Sequence, residues 1–312
     1  MIKSPTLFVL GAGASKPFGY PTGAELRAIL CSASIRDSDG TVYRKLVEAG
    51  NQPAQIKEFT NAFERSGFVS IDRFLALRQD FASTGRAAIA AAISECNSEW
   101  RLYRTAQSDG KYVPGTSDWY SYLWERMTAG AANATDVMRE NKVSFITFNY
   151  DRSLERFLLN SLTYGFGADS AQSSQLLSEF PIHHVYGSLA RKGQEDVHND
   201  GMPPPQVLRE FAENIRVMPN QRPDEDPRCL EMFNAADQVF FLGFGFDEMN
   251  CMRLGLGQVF AAKSPRVFAT CLKQPKGEVA VIRSRFGKTT AGMALDDTDC
   301  LGVLRSHAHR LR

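Results

Sequence analysis

Apolar positions in this chain change period several times, and each change marks an element. In TLFVL (6–10) the chain is apolar without a break from Leu7 and runs into GAGAS (11–15), the pattern of a buried strand ending in a glycine turn. PTGAELRAILCSA then places Leu26, Ile29 and Leu30 on one helical face, with Thr22 as N-cap. From 41 to 140 no stretch reads as a strand. Helical spacing instead runs through Ile71, Phe74, Leu75, Ile89 and Ile93, and again through Trp119, Tyr122, Leu123 and Met127, with Ser117 or Asp118 as cap. Strand character returns in KVSFITFNYD (142–151), PIHHVYGSL (181–189), VFFLGFGF (239–246) and RVFATCL (266–272). Helices are predicted over 151–162, 207–215, 228–238, 247–260 and 277–286. Between them lie two polar loops, ARKGQEDVHNDGMPPPQ (190–206), a candidate lid, and MPNQRPDEDP (218–227).

Apolar strands alternating with helices predict an α/β fold: a Rossmann-like parallel sheet with helices on both faces. Residues 1–40 and 141–312 would form the sheet domain, and 41–140 a helical insertion subdomain.

Charge adds little to this picture. Thirty-six basic residues balance 35 acidic ones, so the net charge of +1 gives no electrostatic case for nucleic acid or a membrane surface. The opening MIKSPTLFVLGAGAS is too short and too glycine-broken for a secretory signal, and no run reaches the ~18 apolar residues of a membrane span. The expected location is the cytoplasm. Six cysteines, at 31, 96, 229, 251, 271 and 300, show no C-x-x-C pair and no histidine at ligand spacing. They read as small core residues, with neither disulfides nor metal expected.

The candidate chemistry sits at four strand ends, where open α/β sheets gather ligands. GAGAS (Gly11, Ala12, Gly13, Ala14, Ser15) suits close backbone approach to a pyrophosphate, or else a tight turn with no ligand. A dehydrogenase fingerprint would need glycine at Lys16 and an acidic residue after a second strand; Asp37 and Asp39 follow no strand. TFNYD sets Thr147, Asn149 and Asp151 at period two, on one side of the strand end. Asn149 would hold a water or sugar hydroxyl, or else make a turn while Asp151 caps the next helix. GFGFDEMN offers Gly243, Phe244, Gly245 and Phe246 to a sugar or base, with Asp247 as helix cap and Asn250 one turn in. In HHVYGS, His184 shares a face with Tyr186, about 6.5–7 Å further along the strand, while His183 points away and reads as structural.

In this order the motifs resemble the sirtuin-like NAD-binding family, most closely its divergent bacterial branch of NAD-degrading anti-phage defence effectors. That family shows G-A-G-x-S, T-x-N-x-D, H-G-S and a G-[FYT]-S/G segment with downstream Asp and Asn. Here these read Gly11–Ser15, Thr147–Asp151, Tyr186–Gly187–Ser188 and Gly243–Asn250. The resemblance implies NAD as substrate, without metal. Gly11 to Ser15 would hold the pyrophosphate, Gly243 to Phe246 would face the adenosine half, and Asn149 would sit at the nicotinamide ribose. It further implies an NAD+ nucleosidase controlled through a homo-oligomer or a separate sensor protein, since too little chain follows the last predicted helix for a sensor domain. The aromatics Trp100, Trp119, Tyr120 and Trp124 mark the insertion as a surface for such control or as ordinary packing. Protein-deacylating sirtuins carry a G-I-P-D-F-R-like segment and zinc cysteines; GYPTGAELR and unpaired cysteines put deacylation below NAD cleavage.

One departure matters. Tyr186 stands where the family has its catalytic histidine, and a phenol of pKa ~10 is a poor base at neutral pH. Tyr186 can still orient a ribose, and His184 can reach the site directly or through Tyr186 as a relay; a core histidine is the alternative. A binding module that reports NAD or ADP-ribose to a partner is therefore the rival to the hydrolase, and a cyclic product would use the same residues.

Overall fold

A computed structural model describes residues 1–103, 118–191, 201–217, 225–287 and 292–312. Most of the candidate lid and most of the 218–227 loop lie outside the described residues. Six parallel strands form one sheet: β1 (Thr6–Leu10), β2 (Val143–Thr147), β3 (Ile182–His184), β4 (Gln238–Leu242), β5 (Arg266–Thr270) and β6 (Met293–Asp296). Their order is β3-β2-β1-β4-β5-β6. This is the doubly wound order, in which the chain leaves β1 in both directions and opens a crevice between the carboxyl ends of β1 and β4.

The apolar runs form strands because both faces of the sheet are covered. Every residue of β1 and of β4 is buried. Register sets Phe8 beside Phe145 on one side and Phe240 on the other, and Phe240 beside Phe268. The rings stack across four strands at centroid distances of 5.2, 5.3 and 4.7 Å. Such aromatic pairs add about 0.5–1.5 kcal/mol each beyond the area they bury. β6 was not anticipated: MALD is short and half-buried along its whole length, so it has no apolar run to announce it.

The described part of 41–140 contains helices and their connecting turns, with no strand, and lies between β1 and β2 in the chain. Its central helix, Ala82–Glu95, is nearly all buried. One continuous apolar core takes in Ile89 and Phe59 from this stretch with Phe8 and Phe240 from the sheet. Trp119 is fully buried, and its indole N–H donates to the carbonyl of Ala14 at 2.8 Å. Tyr120 stacks on Phe18 at 3.8 Å, and Trp124 meets Phe157 edge-on. These aromatics pack the insertion onto the first turn of the sheet domain; the side chain of Trp100 lies outside the described ones. Asp118 caps the Trp119–Thr128 helix, as the pattern predicts.

No helix among the described residues is long and apolar enough to cross a membrane.

Candidate functional site

A cleft of about 670 Å³ opens at the carboxyl ends of β1, β2 and β4, in the size range of small-molecule sites. Twelve of the candidate site residues named above line it: Gly11, Ala12, Gly13, Thr22, Asn149, Asp151, Tyr186, Gly243, Phe244, Gly245, Asp247 and Asn250. The helical insertion supplies another wall, from Gly67 to Arg73.

The glycine turns after β1 and β4 are built against each other. A Cβ on Gly11 would lie 2.5 Å from the Gly243 carbonyl oxygen, and one on Gly13 only 2.8 Å from the Gly243 Cα. Gly243 itself has φ +57°, and its Cβ would meet the Ala14 nitrogen at 2.1 Å. The Gly11 and Gly13 amides donate to Leu242 and Gly243 carbonyls at 3.0 Å each. Close backbone approach is thus the reason for these glycines, but the backbone approached is the neighbouring turn. Gly245 differs: nothing lies within 4 Å of its Cβ position, so its backbone is open.

Asn149 is the most constrained polar side chain of the cleft. Its Nδ2 donates to the Gly11 carbonyl at 3.0 Å and to Ser15 Oγ at 2.9 Å. Because a carbonyl only accepts, the amide orientation is fixed. Its main-chain N–H donates to Thr147 Oγ1 at 3.1 Å. Oδ1 is buried and has no hydrogen-bond partner among the described residues. An unmet buried acceptor costs about 1–3 kcal/mol, so a ligand donor at that point has much to gain.

Asp151 lies beneath. Its Oδ1 accepts from the Ser153 amide and hydroxyl, which starts the Ser153–Phe166 helix as an Asx turn, and Ser15 also donates to its carboxylate. Burial raises its pKa against these hydrogen bonds. Ser15 therefore links Asn149 to Asp151 below the cleft surface.

β3 is arranged differently. His184 does not line the cleft; its Nδ1 faces the Asn149 carbonyl at 3.0 Å and its Nε2 faces Glu155 Oε1 at 2.8 Å. Burial disfavours charge on both partners, yet their mutual attraction wins: the His184 pKa is raised and that of Glu155 is lowered. With acceptors at both ring nitrogens, His184 is a doubly donating imidazolium with no lone pair for a substrate. It braces the main chain of Asn149. Tyr186 turns instead to Asn250, donating to Oδ1 at 2.6 Å, so the two side chains form no His–Tyr relay. Burial, with Asp72 and Asp247 nearby, pushes the phenol well above its ordinary pKa. Phe148 meets Tyr186 edge-on at 5.5 Å and Phe244 at 5.2 Å, giving the cleft an aromatic floor.

Other predicted residues serve the frame. Ala14 is buried under Trp119, and Thr147 holds the Asn149 amide. Gly187, at φ +73°, leaves room for the Asn214 carbonyl, which its Cβ would meet at 1.9 Å; Ser188 follows in the same turn. Phe246 takes φ +53° and buries its ring between Phe241 and Phe286. Asp247 caps the Glu248–Arg253 helix, and Thr22 forms a capping box with Glu25, which also pairs with Lys16. His183 bonds Asp226 at 3.0 Å, in keeping with a structural role.

The fold brings His183, Asp226 and Cys229 within metal-ligand reach of one another. Asp226 is already engaged by His183 and Arg253, and by the helix it caps. Burial and that carboxylate push the Cys229 thiol pKa up. Cys229, Cys251, Cys271 and Cys300 are all core residues.

Two cleft groups escaped the sequence reading: Asp72, at the start of the Ile71–Leu77 helix, and Tyr150, whose hydroxyl donates to Asp72 Oδ1. In sequence, SID reads only as a helix start. No known protein-family model matches the chain, and no curated protein matches it.

Proposed function

We propose that the protein is an NAD glycohydrolase that cleaves NAD to nicotinamide and ADP-ribose, in line with the defence effectors its motifs resemble. The observation that carries this reading is Asn149: an amide locked by Gly11 and Ser15, with a buried acceptor lacking a donor, at the switch point of a dinucleotide-type sheet.

In this reading the nicotinamide ribose lies at Asn149, where Oδ1 accepts from a ribose hydroxyl or the attacking water. The pyrophosphate crosses the Ala12 end of the first turn, whose neighbouring Gly11 and Gly13 amides are spent on β4. The adenosine half lies along Phe244 and the bare backbone of Gly245. Tyr186 and Asn250 act as a donor–acceptor pair toward sugar hydroxyls. Asp151 and His184 keep Asn149 in place from below and behind. Such fixed dipoles favour the oxocarbenium-like state of glycosidic cleavage because they need no reorganisation as charge develops.

A second reading has a specific observation behind it. Tyr186 replaces the family's histidine, and His184 has both nitrogens occupied, as expected of a pocket that binds NAD or ADP-ribose for a partner without cleaving it. Nicotinamide release from NAD, followed over a range of protein concentrations so that activation by self-assembly is seen, separates the two. The hydrolase predicts release in step with ADP-ribose. Saturable NAD binding with no release at any concentration favours the binding module.

A further inference from the structure

We propose that Asp72, carried into the cleft by the helical insertion, is the carboxylate that accepts the proton of the attacking water. This rests on the NAD-cleaving reading above and names the base which that reading lacks. The base sits on 41–140, the part of the chain that the motifs leave out.

Asp72 lines the same cleft as Asn149. Its position is set by Tyr150, the residue after Asn149, whose hydroxyl donates to Asp72 Oδ1. The main chain that aims Asn149 therefore also aims Asp72. That main chain is tied in turn to the β3 turn, because Leu189 N–H donates to the Tyr150 carbonyl at 2.9 Å. A carboxylate offers about four acceptor sites, so one phenol and its own main-chain amide leave it able to take a water.

The other titratable groups of the cleft are less able to do this. Asp151 carries Ser153 and Ser15. Asp247 is exposed and spends Oδ1 on two helix amides. Tyr20, Tyr150 and Tyr186 are held neutral: burial pushes all three pKa values up, and Asp72 adds to it for Tyr150 and Tyr186. His184 lies outside the lining.

The groups facing Asp72 are Tyr150 from the end of β2, Tyr186 from the turn after β3 and Asp247 from the turn after β4. Arg73 is its neighbour on its own helix, with the guanidinium over Phe68. Burial raises the Asp72 pKa above the usual carboxylate value, the Tyr150 hydrogen bond lowers it, and Asp247 raises it further. A base raised in this way works closer to neutrality than an ordinary aspartate.

The step balances. The water oxygen bonds to C1′ of the ribose while its proton passes to Asp72. The C1′–nitrogen bond breaks, and its electron pair goes to the nicotinamide nitrogen, neutralising the ring. Asp72 then gives its proton to solvent, so NAD+ and water become nicotinamide, ADP-ribose and one proton.

The test is the pH profile of nicotinamide release for the full-length protein, Asp72→Asn and Tyr150→Phe, with NAD affinity and melting temperature for each. Asp72→Asn should lose about 100-fold or more in kcat, keep NAD affinity within a few-fold, and lose the acidic limb of the profile. Tyr150→Phe removes a hydrogen bond that favours the charged carboxylate, so its acidic limb should move to higher pH while activity at alkaline pH persists. Wild-type kcat and an unchanged acidic limb in Asp72→Asn would overturn the role of Asp72 and leave NAD cleavage standing. If Asp72→Asn fails to fold, Tyr150→Phe decides, and an unmoved limb overturns the proposal. A wild-type protein that binds NAD but releases no nicotinamide at any concentration overturns the NAD-cleaving reading, and the role of Asp72 with it.

Discussion

β2 and β3 are neighbours in the sheet, yet their carboxyl ends are chemical opposites. At β3 and the turn after it, three polar side chains have protein partners: His183 holds Asp226, His184 holds Glu155 and the Asn149 carbonyl, and Tyr186 holds Asn250. After β2, Asn149 keeps a buried acceptor without a donor, and Tyr150 reaches across to the half-buried Asp72. The histidine pair draws the eye in the sequence, but His183 Nε2 and both ring nitrogens of His184 are engaged within the protein, whereas Asn149 Oδ1 has no donor among the described residues.

The largest expected effect comes from breaking what both ends rest on, the interlocked turns of β1 and β4. Gly243→Ala forces a left-handed φ on alanine and drives a Cβ to 2.1 Å from the Ala14 nitrogen. Chemical denaturation should show a loss of about 3 kcal/mol or more. A loss under about 1 kcal/mol would mean that the turns are not interlocked as described.

Glu155→Gln probes the β3 side alone. Glu155 has a lowered folded pKa, so its contribution is present above the unfolded carboxylate value and fades as pH falls through the folded one. His184 has a raised folded pKa, so its contribution is complete below the unfolded imidazole value and fades as pH rises through the folded one. The pair should stabilise most between about pH 4.3 and 6.5. Denaturation of wild type against Glu155→Gln should show a gap of about 1–3 kcal/mol in that window, closing toward alkaline pH. A gap that does not change with pH would contradict an ionised pair.

The smallest effect is Tyr186→Phe, which leaves the Asn250 acceptor without its 2.6 Å donor. About 1 kcal/mol, read as several-fold weaker NAD affinity, is expected. A loss of turnover as deep as that of Asn149→Ala would return the central role to β3.

Much of this was legible in the chain. Mainly apolar runs marked β1, β2, β4 and β5, because strands covered on both faces need no polar side. β6 lacked that mark, and Ser170–Glu179, polar except for a few buried positions, went unread as a helix. Gly255, at φ +63°, divides what read as one helix over 247–260. The glycines of the first and fourth strand ends signalled close approach, but only the fold shows that they approach each other. The Asp72–Tyr150 contact joins residues 78 apart, and the ion pair that occupies His184 joins residues 29 apart. Local pattern carries neither.

The central claim is that the Asn149 amide, and not the β3 histidine, holds the ribose or the attacking water for cleavage. The most direct measurement is nicotinamide release by Asn149→Ala beside wild type, with NAD affinity determined for both. The account predicts a fall in turnover of about 100-fold or more, with affinity changed by less than tenfold. Turnover in Asn149→Ala equal to that of wild type would contradict it.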